Sequence, residues 1–132
     1  MSQENMEIVR AAWDAWNRGD WDEWRSYLSP DFELDGSTAL GEWRGVTRGP
    51  DQVLRGIQQF LEPWKSVRIE IDELIDAGEH VVQRGTAHFV GRDGIEVQAK
   101  GAYCWTFRDG VMIRGLFSNE FDDALEAARL SE

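Results

Sequence analysis

The chain has 132 residues, a length typical of one domain and sufficient to bury a core, and 42% of them are hydrophobic, too many for a disordered chain. With 25 acidic and 14 basic residues the formal net charge is −11, and no basic patch occurs, so we expect neither nucleic acid nor a membrane as a partner. Seven tryptophans indicate an aromatic-rich core, or a cavity or interface lined with rings.

Two helices are predicted at the start of the chain. Apolar residues at helical spacing place the first helix over 5–17. Gly19 ends it, and Asp20 caps a second helix over about 21–28. Pro30 lacks the amide hydrogen that a continuing helix needs, so we expect the second helix to end before it.

A strand, an irregular stretch and a third helix follow. Residues 32–35 are predicted to form a short strand, and the glycine-rich stretch 36–49 a long loop or a broken hairpin. Pro50 then starts a helix whose apolar residues share one face: Val53, Ile57, Phe60 and Leu61.

The second half of the chain alternates between apolar and polar residues, which predicts strands. They are expected over 67–72, 81–90, 95–107 and 111–120, with glycine-containing turns between them, before an amphipathic helix over 122–130. Helices gathered on one side of an antiparallel sheet define an α+β fold. The sequence contains no linker, repeat or low-complexity segment, so we predict a single domain over 1–132.

Metal and redox chemistry have few candidate residues. Cys104 is the single cysteine, so neither an internal disulfide nor a cluster of thiolate ligands can form, and His80 and His88 lack the spacing of a zinc motif. We therefore predict no metal and no cofactor. No apolar run reaches the length of a signal peptide or a membrane span, which predicts a cytoplasmic protein.

Several stretches of the sequence resemble one family. EIVRAAWDAWNRGDWDEW, LSPDFELD and WRGVTRGPDQV in the first half, and EVQAKGAYCWTFRDGVMIRG and DDALEAA in the second, are similar to SnoaL-like proteins of the nuclear transport factor 2-like superfamily. The resemblance covers about 5–128. It implies a cone, in which a strongly bent antiparallel sheet wraps around the helices and leaves a cavity at its wide end.

The resemblance does not imply one reaction, because relatives include ketosteroid isomerase, polyketide cyclases, dehydratases, epoxide hydrolases and non-catalytic binding domains. Many relatives dimerise through the outer face of the sheet, so we expect a homodimer. In this chain that face would carry polar residues: Arg84, Thr86, His88, Gln98 and Arg114.

Two residues are candidates for catalysis. The resemblance places Asp35 where ketosteroid isomerase keeps its aspartate base, and an apolar pocket wall would raise the pKa of a carboxylate toward useful basicity. Strict alternation favours the opposite orientation, with Phe32 and Leu34 inside and Asp35 outside unless a bulge intervenes. Tyr103 matches the position of the family's oxyanion donor, whereas the family's second donor, a tyrosine, corresponds to Ala12.

The remaining candidates are pocket walls and interior amides. Gln83 and Asn119 fall on inward strand faces, and each either orients a substrate or is a satisfied structural amide. Gly85, Gly101 and Gly115 lie on inward faces too, where they leave room for a ligand or permit the sheet to bend. Trp13, Trp21 and Trp24 are expected to pack helices together. The predicted pocket walls are Trp16, Trp43, Phe60, Trp64, Trp105 and Phe117.

Two functions remain open from the sequence. The first is a cofactor-independent isomerase, cyclase or dehydratase that acts on a neutral apolar carbonyl compound, with Asp35 as general base and Tyr103 as hydrogen-bond donor. The second is a non-catalytic domain that binds a small apolar or aromatic ligand, or that serves only as an accessory dimerisation domain.

Overall fold

The computed structural model describes residues 2–36 and 45–130. Within these ranges the chain forms four helices and six strands. They are α1 (Ser2–Arg18), α2 (Trp21–Ser26), β1 (Leu28–Asp35), β2 (Val46–Arg48), α3 (Pro50–Leu61), β3 (Trp64–Ala77), β4 (His80–Gly91), β5 (Glu96–Arg108), β6 (Val111–Ser118) and α4 (Phe121–Leu130). The helices and five of the strands follow the predicted order, and the sixth strand, β2, lies in the stretch predicted as a long loop or a broken hairpin.

All six strands form one curved, open sheet in the order β2-β1-β6-β5-β4-β3. Strands β3 to β6 follow one another as antiparallel neighbours, as their alternating sequence predicted. The pairing of β1 with β6 is parallel, which differs from the antiparallel sheet expected. These two strands are far apart in the chain, so no hairpin fixes their relative direction.

Turn and cap residues define the helix boundaries. Gly19 has a φ of 72° and ends α1, and the side chain of Asp20 accepts a hydrogen bond at 3.1 Å from the backbone amide of Glu23, as predicted for a capping residue. Pro50 is the first residue of α3, where its missing amide hydrogen has no cost.

The predicted boundary between α2 and β1 was wrong. Helix α2 ends at Ser26, and β1 begins at Leu28 and continues through Pro30. Proline has no amide hydrogen to donate to a neighbouring strand. The strand tolerates Pro30 because the register of β1 against β6 shifts between Leu28 and Glu33, so the regular hydrogen-bond ladder is interrupted there.

Helices lie on both faces of the sheet rather than on one. Helices α1, α2 and α3 cover the face that we call the inner face, where a large apolar core includes Trp13, Phe32 and Val81. Helix α4 packs on the outer face, where Ala124 and Ala128 join a smaller cluster formed by Val82, Ala102, Cys104 and Leu116. No helix in the described part of the chain is long and apolar enough to cross a membrane.

A bulge between β5 and β6 changes which residues of β6 face inward. The register shifts between Thr106 and Phe107, so Met112 lies in the inner core although strict alternation from Gly115 would place Ile113 there. Beyond the bulge the alternation is as expected, and Phe117 returns to the inner face.

Candidate functional site

A cavity of about 310 Å³ lies between the inner face of the sheet and helices α1, α2 and α3. This volume is at the lower end of the range of small-molecule sites, roughly 300–1,000 Å³. The described residues around it are mostly apolar or aromatic: Trp13, Trp16, Trp24, Phe32, Leu34, Val53, Ile57, Phe60, Val67, Ile69, Gly85, Thr86, Ala87, Phe89, Ala99, Lys100, Gly101, Tyr103, Trp105, Phe117 and Asn119.

Most of the predicted wall residues are on this wall. Trp16, Phe60, Trp105, Phe117 and Asn119 line the cavity, as does Tyr103. Trp64 does not; its ring packs on Phe89 with the ring centroids 4.8 Å apart. Trp43 lies outside the described residues.

Sequence reasoning missed two tryptophans of the wall. Trp13 and Trp24 line the cavity, although they were assigned to helix packing. Helical spacing between Trp13 and Trp16 indicates a shared face of α1, but it does not reveal that a gap remains beside that face. Trp21 packs against Trp16 and Trp24, in agreement with its predicted role.

Tyr103 is held in the wall by aromatic contacts. Its ring stacks on that of Trp105, with centroids 5.2 Å apart and an interplanar angle of 9°, and it contacts Trp13 at 5.3 Å. Its hydroxyl has no hydrogen-bond partner within the described parts of the chain. Burial raises the pKa of Tyr103 above its ordinary value, so the phenol stays neutral and can donate a hydrogen bond.

Gln83 lies behind the wall rather than on it. The side chain is fully buried, and its Oε1 accepts hydrogen bonds from Nε1 of Trp13 at 2.7 Å and from Nε1 of Trp105 at 2.9 Å. Nε2 has no hydrogen-bond partner among the described residues. Gln83 therefore holds two wall residues together. As a structural amide it is only half satisfied, because its oxygen has hydrogen-bond partners among the described residues and its nitrogen has none.

Asp35 lies on the opposite face of the sheet from Tyr103. Phe32 and Leu34 line the cavity, whereas Asp35 does not and is only 7% exposed. Its carboxylate accepts a hydrogen bond at 2.5 Å from Nη2 of Arg114. The bulge in β1 leaves the alternation over 32–35 intact, so the structure does not bring Asp35 and Tyr103 to one cavity.

The other candidate acid and base groups are engaged elsewhere. His80 Nδ1 is hydrogen-bonded to Thr106 Oγ1 at 2.9 Å, and His88 Nε2 to Glu70 Oε1 at 2.7 Å. Neither carboxylate nor imidazole lines the cavity among the described residues. The described residues also contain no cluster of histidine, cysteine and carboxylate side chains that could hold a metal ion.

Lys100 is the charged residue on the described wall, and its amine is directed to polar neighbours. It donates a hydrogen bond to Thr86 Oγ1 at 2.7 Å and pairs with Asp72 at 3.3 Å. The hydrogen bond from Thr86, and then that from Lys100, hold the pKa of Asp72 below its ordinary value.

The inward glycines allow close packing of neighbouring side chains and backbone. A Cβ at Gly115 would lie 2.5 Å from Cζ3 of Trp105, so this glycine lets the indole lie against β6. A Cβ at Gly101 would lie 2.9 Å from Cε1 of Phe117, and one at Gly85 would lie 2.9 Å from the carbonyl oxygen of Glu70. Gly85 and Gly101 nevertheless line the cavity.

Solved structures share this fold over most of their length. A protein from Burkholderia pseudomallei, described as NTF2-like and of unknown function, has a TM-score of 0.77 at 25% identity and covers 93% of this chain and 95% of its own. TerC, co-crystallised with polyporic acid, has a TM-score of 0.77 at 20% identity, with coverage of 96% and 98%. A putative SnoaL-like polyketide cyclase from Jannaschia has a TM-score of 0.74 at 19% identity, with coverage of 88% and 85%.

The sequence itself also identifies the family. No curated protein matches the chain. The SnoaL-like domain family matches it over residues 9–115, from the middle of α1 into β6. The chain therefore belongs to the SnoaL-like domain family.

Proposed function

We propose that this protein binds a neutral, planar small molecule that carries a carbonyl oxygen, with the rings of the ligand between the aromatic walls of the cavity. The observation that carries this proposal is the Tyr103 hydroxyl, a neutral donor without a partner in the described chain, on the wall of a cavity that is otherwise mostly apolar. Such a site gains affinity from apolar burial and orientation from its few polar groups.

The tryptophans of the wall favour a ligand with few polar atoms. Nε1 of Trp16 donates to the carbonyl oxygen of Val67 at 3.0 Å, and those of Trp13 and Trp105 donate to Gln83. An indole nitrogen has one hydrogen to donate, so these three rings offer a ligand their apolar faces. Tyr103 packs on the rings of Trp13 and Trp105 and keeps its hydroxyl hydrogen available for a ligand.

Binding is better supported than acid–base catalysis. Isomerisation, cyclisation and dehydration each need a base within hydrogen-bonding reach of the proton that it removes. Asp35, the predicted base, is paired with Arg114 on the other face of the sheet, and the described wall contains no carboxylate or imidazole. Two structures with this fold are described with small molecules, polyporic acid in TerC and trimethylamine in a protein from Catenulispora acidiphila, which supports a ligand pocket as the shared feature.

Two probes that differ in one group test this proposal. Fluorene and fluorenone have the same fused-ring skeleton, and only fluorenone has a carbonyl oxygen. Titration of each probe, followed by quenching of tryptophan fluorescence, should show tighter binding of fluorenone. Tyr103→Phe should lower the affinity for fluorenone about three- to tenfold, which corresponds to the loss of one net hydrogen bond, and leave the affinity for fluorene unchanged.

A pair of matched variants locates the binding site. Ala99 lines the cavity, and the neighbouring Gln98 faces the opposite side of β5. Both residues are exposed, so neither replacement by tryptophan has to be accommodated in the core. Ala99→Trp should block both probes, whereas Gln98→Trp should bind them as the wild type does. Equal binding by both variants, or no binding of either probe by the wild type, would overturn the proposal.

A catalytic role is testable in the same samples. Tyr103 could stabilise an enolate by donating to its oxygen, and a base would have to remove the adjacent proton. We expect no deuterium exchange next to the carbonyl of a bound ketone such as 2-tetralone above the solution rate. Exchange that depends on Tyr103 would establish the isomerase type of chemistry instead.

A further inference from the structure

Two tryptophans of the cavity wall are hydrogen-bonded to one buried amide, and Tyr103 packs on both of them. The indoles of Trp13 and Trp105 both donate to Oε1 of Gln83, at 2.7 Å and 2.9 Å. Tyr103 contacts both indoles, with its ring centroid 5.3 Å from that of Trp13 and 5.2 Å from that of Trp105. Gln83 and Tyr103 are also directly opposite each other on neighbouring strands β4 and β5.

The chemistry of the side chains fixes the orientation of this amide. An indole nitrogen only donates, so the group that faces both tryptophans must be the oxygen of Gln83 and not its nitrogen. A flipped amide would place two donors against two donors. The arrangement of the two indoles, and of the Tyr103 ring that packs on them, therefore depends on the side-chain oxygen of Gln83. An apolar residue at this position could not accept these hydrogen bonds.

The buried amide of Gln83 lowers the stability of the fold relative to an apolar side chain at this position. Its side chain is fully buried, and its Nε2 donates no hydrogen bond within the described chain. A buried donor without a partner lowers the stability of a fold, and an apolar side chain of similar size would have no such group. A role for the amide in orienting the rings accounts for its presence where apolar packing alone would suffice.

We infer that Gln83 is a positioning residue for the ligand site: by holding Trp13 and Trp105 it fixes the ring of Tyr103, and with it the direction in which the hydroxyl donates. This inference rests on the proposed binding of a carbonyl ligand. A donor held in one direction loses little conformational freedom on binding, so its hydrogen bond contributes more fully to affinity. Gln83 thus sets the preference for a carbonyl ligand without touching the ligand.

The test compares the affinity ratio of fluorenone to fluorene among three variants. Gln83→Met has a similar length and no acceptor, Gln83→Glu keeps an acceptor for both indoles, and Tyr103→Phe removes the donor. We expect the wild-type ratio to fall about three- to tenfold in both Gln83→Met and Tyr103→Phe. Gln83→Glu should restore the ratio to near its wild-type value.

The ratio separates positioning from a purely structural role. A variant that only loosens the packing around the cavity lowers the affinities for both probes equally and leaves the ratio of the two affinities unchanged. An unchanged ratio in Gln83→Met, together with a lowered ratio in Tyr103→Phe, would overturn the inference about Gln83 and leave the proposed function intact. Failure of the wild type to bind either probe would overturn the proposed function.

The wild-type protein provides a readout that needs no variant of Gln83 to fold. Hydrogen exchange of the indole N–H groups, assigned by NMR with Trp13→Phe and Trp105→Phe, should be slow for both residues because both hydrogens are bonded inside the core. Exchange of either indole as fast as that of the unfolded chain would show that the amide does not hold the rings, and would overturn the inference.

Discussion

Replacing Asp35 by asparagine should lower the stability of the fold and leave ligand binding unchanged. The carboxylate is largely buried and accepts a hydrogen bond at 2.5 Å from Arg114, whose side chain is 40% exposed. Both residues lie on the face of the sheet away from the cavity. The substitution removes the charge of the acceptor but keeps an oxygen at the same place, so the structure predicts a structural effect alone.

The size of this effect follows from the exposure of the pair. Hydrogen bonds to charged groups contribute roughly 1.5–3 kcal/mol when buried, and exposed ion pairs roughly 0–1 kcal/mol. With one partner largely buried and the other partly exposed, we expect a loss of about 1–2 kcal/mol. The matched control is Glu33→Gln on the same strand. Its partner Arg48 has a side chain that is 81% exposed, and Nε of Arg48 lies 3.7 Å from Oε2 of Glu33. This substitution should lower the free energy of unfolding by less than about 0.5 kcal/mol.

Urea unfolding, followed by tryptophan fluorescence, measures both free-energy changes, and the fluorenone titration measures binding by the folded variants. Asp35→Asn should unfold at lower urea and bind fluorenone as the wild type does. If Asp35→Asn kept its stability and lost binding or a measured turnover, Asp35 would act inside the cavity as the family resemblance implies, and the purely structural role would be wrong.

Three further predictions concern packing and titration. Gly115→Ala should destabilise the fold by about 1–3 kcal/mol in urea unfolding, because its Cβ would lie 2.5 Å from the ring of Trp105; an unchanged midpoint would show that the ring moves aside freely. Burial raises the pKa of Cys104 from 9.0 to about 11, so the native thiol should resist iodoacetamide at neutral pH, and stability should fall as the pH rises from about 9 to about 11; rapid native alkylation would contradict this. Thr86 lowers the pKa of Asp72 from its ordinary 3.8, so this carboxylate stabilises the fold above that pH and the effect is lost as the pH falls; Thr86→Val should reduce the acid sensitivity of unfolding, and an identical pH profile would disprove the contribution.

Local sequence patterns predicted most of the elements and one side of the site. Alternation along β5 placed Tyr103 and Trp105 on the inner face, and the same alternation along β1 placed Asp35 outside. Both orientations were confirmed because a strand has a period of two residues that local geometry enforces. The family resemblance suggested instead that Asp35 is a base inside the cavity. A resemblance identifies which position in the sequence corresponds to the family's aspartate, but not the direction in which the side chain points.

Features that depend on contacts distant in sequence could not be read in this way. The parallel pairing of β1 with β6 and the proline inside β1 depend on which strands meet, and the bulge at Thr106 replaces Ile113 by Met112 in the core. The places of Trp13 and Trp24 on the cavity wall depend on where helices and sheet fail to fill space. The predicted homodimer stays a prediction.

A crystal structure of the protein with fluorenone is the sharpest test of the proposed binding site, because it locates both the rings and the oxygen of the ligand. We expect the rings to occupy the cavity between the inner face of the sheet and helices α1, α2 and α3, with the carbonyl oxygen within about 2.5–3.0 Å of the Tyr103 hydroxyl. Fluorenone bound elsewhere on the protein, or bound in the cavity with its oxygen directed away from Tyr103, would contradict the proposed binding site.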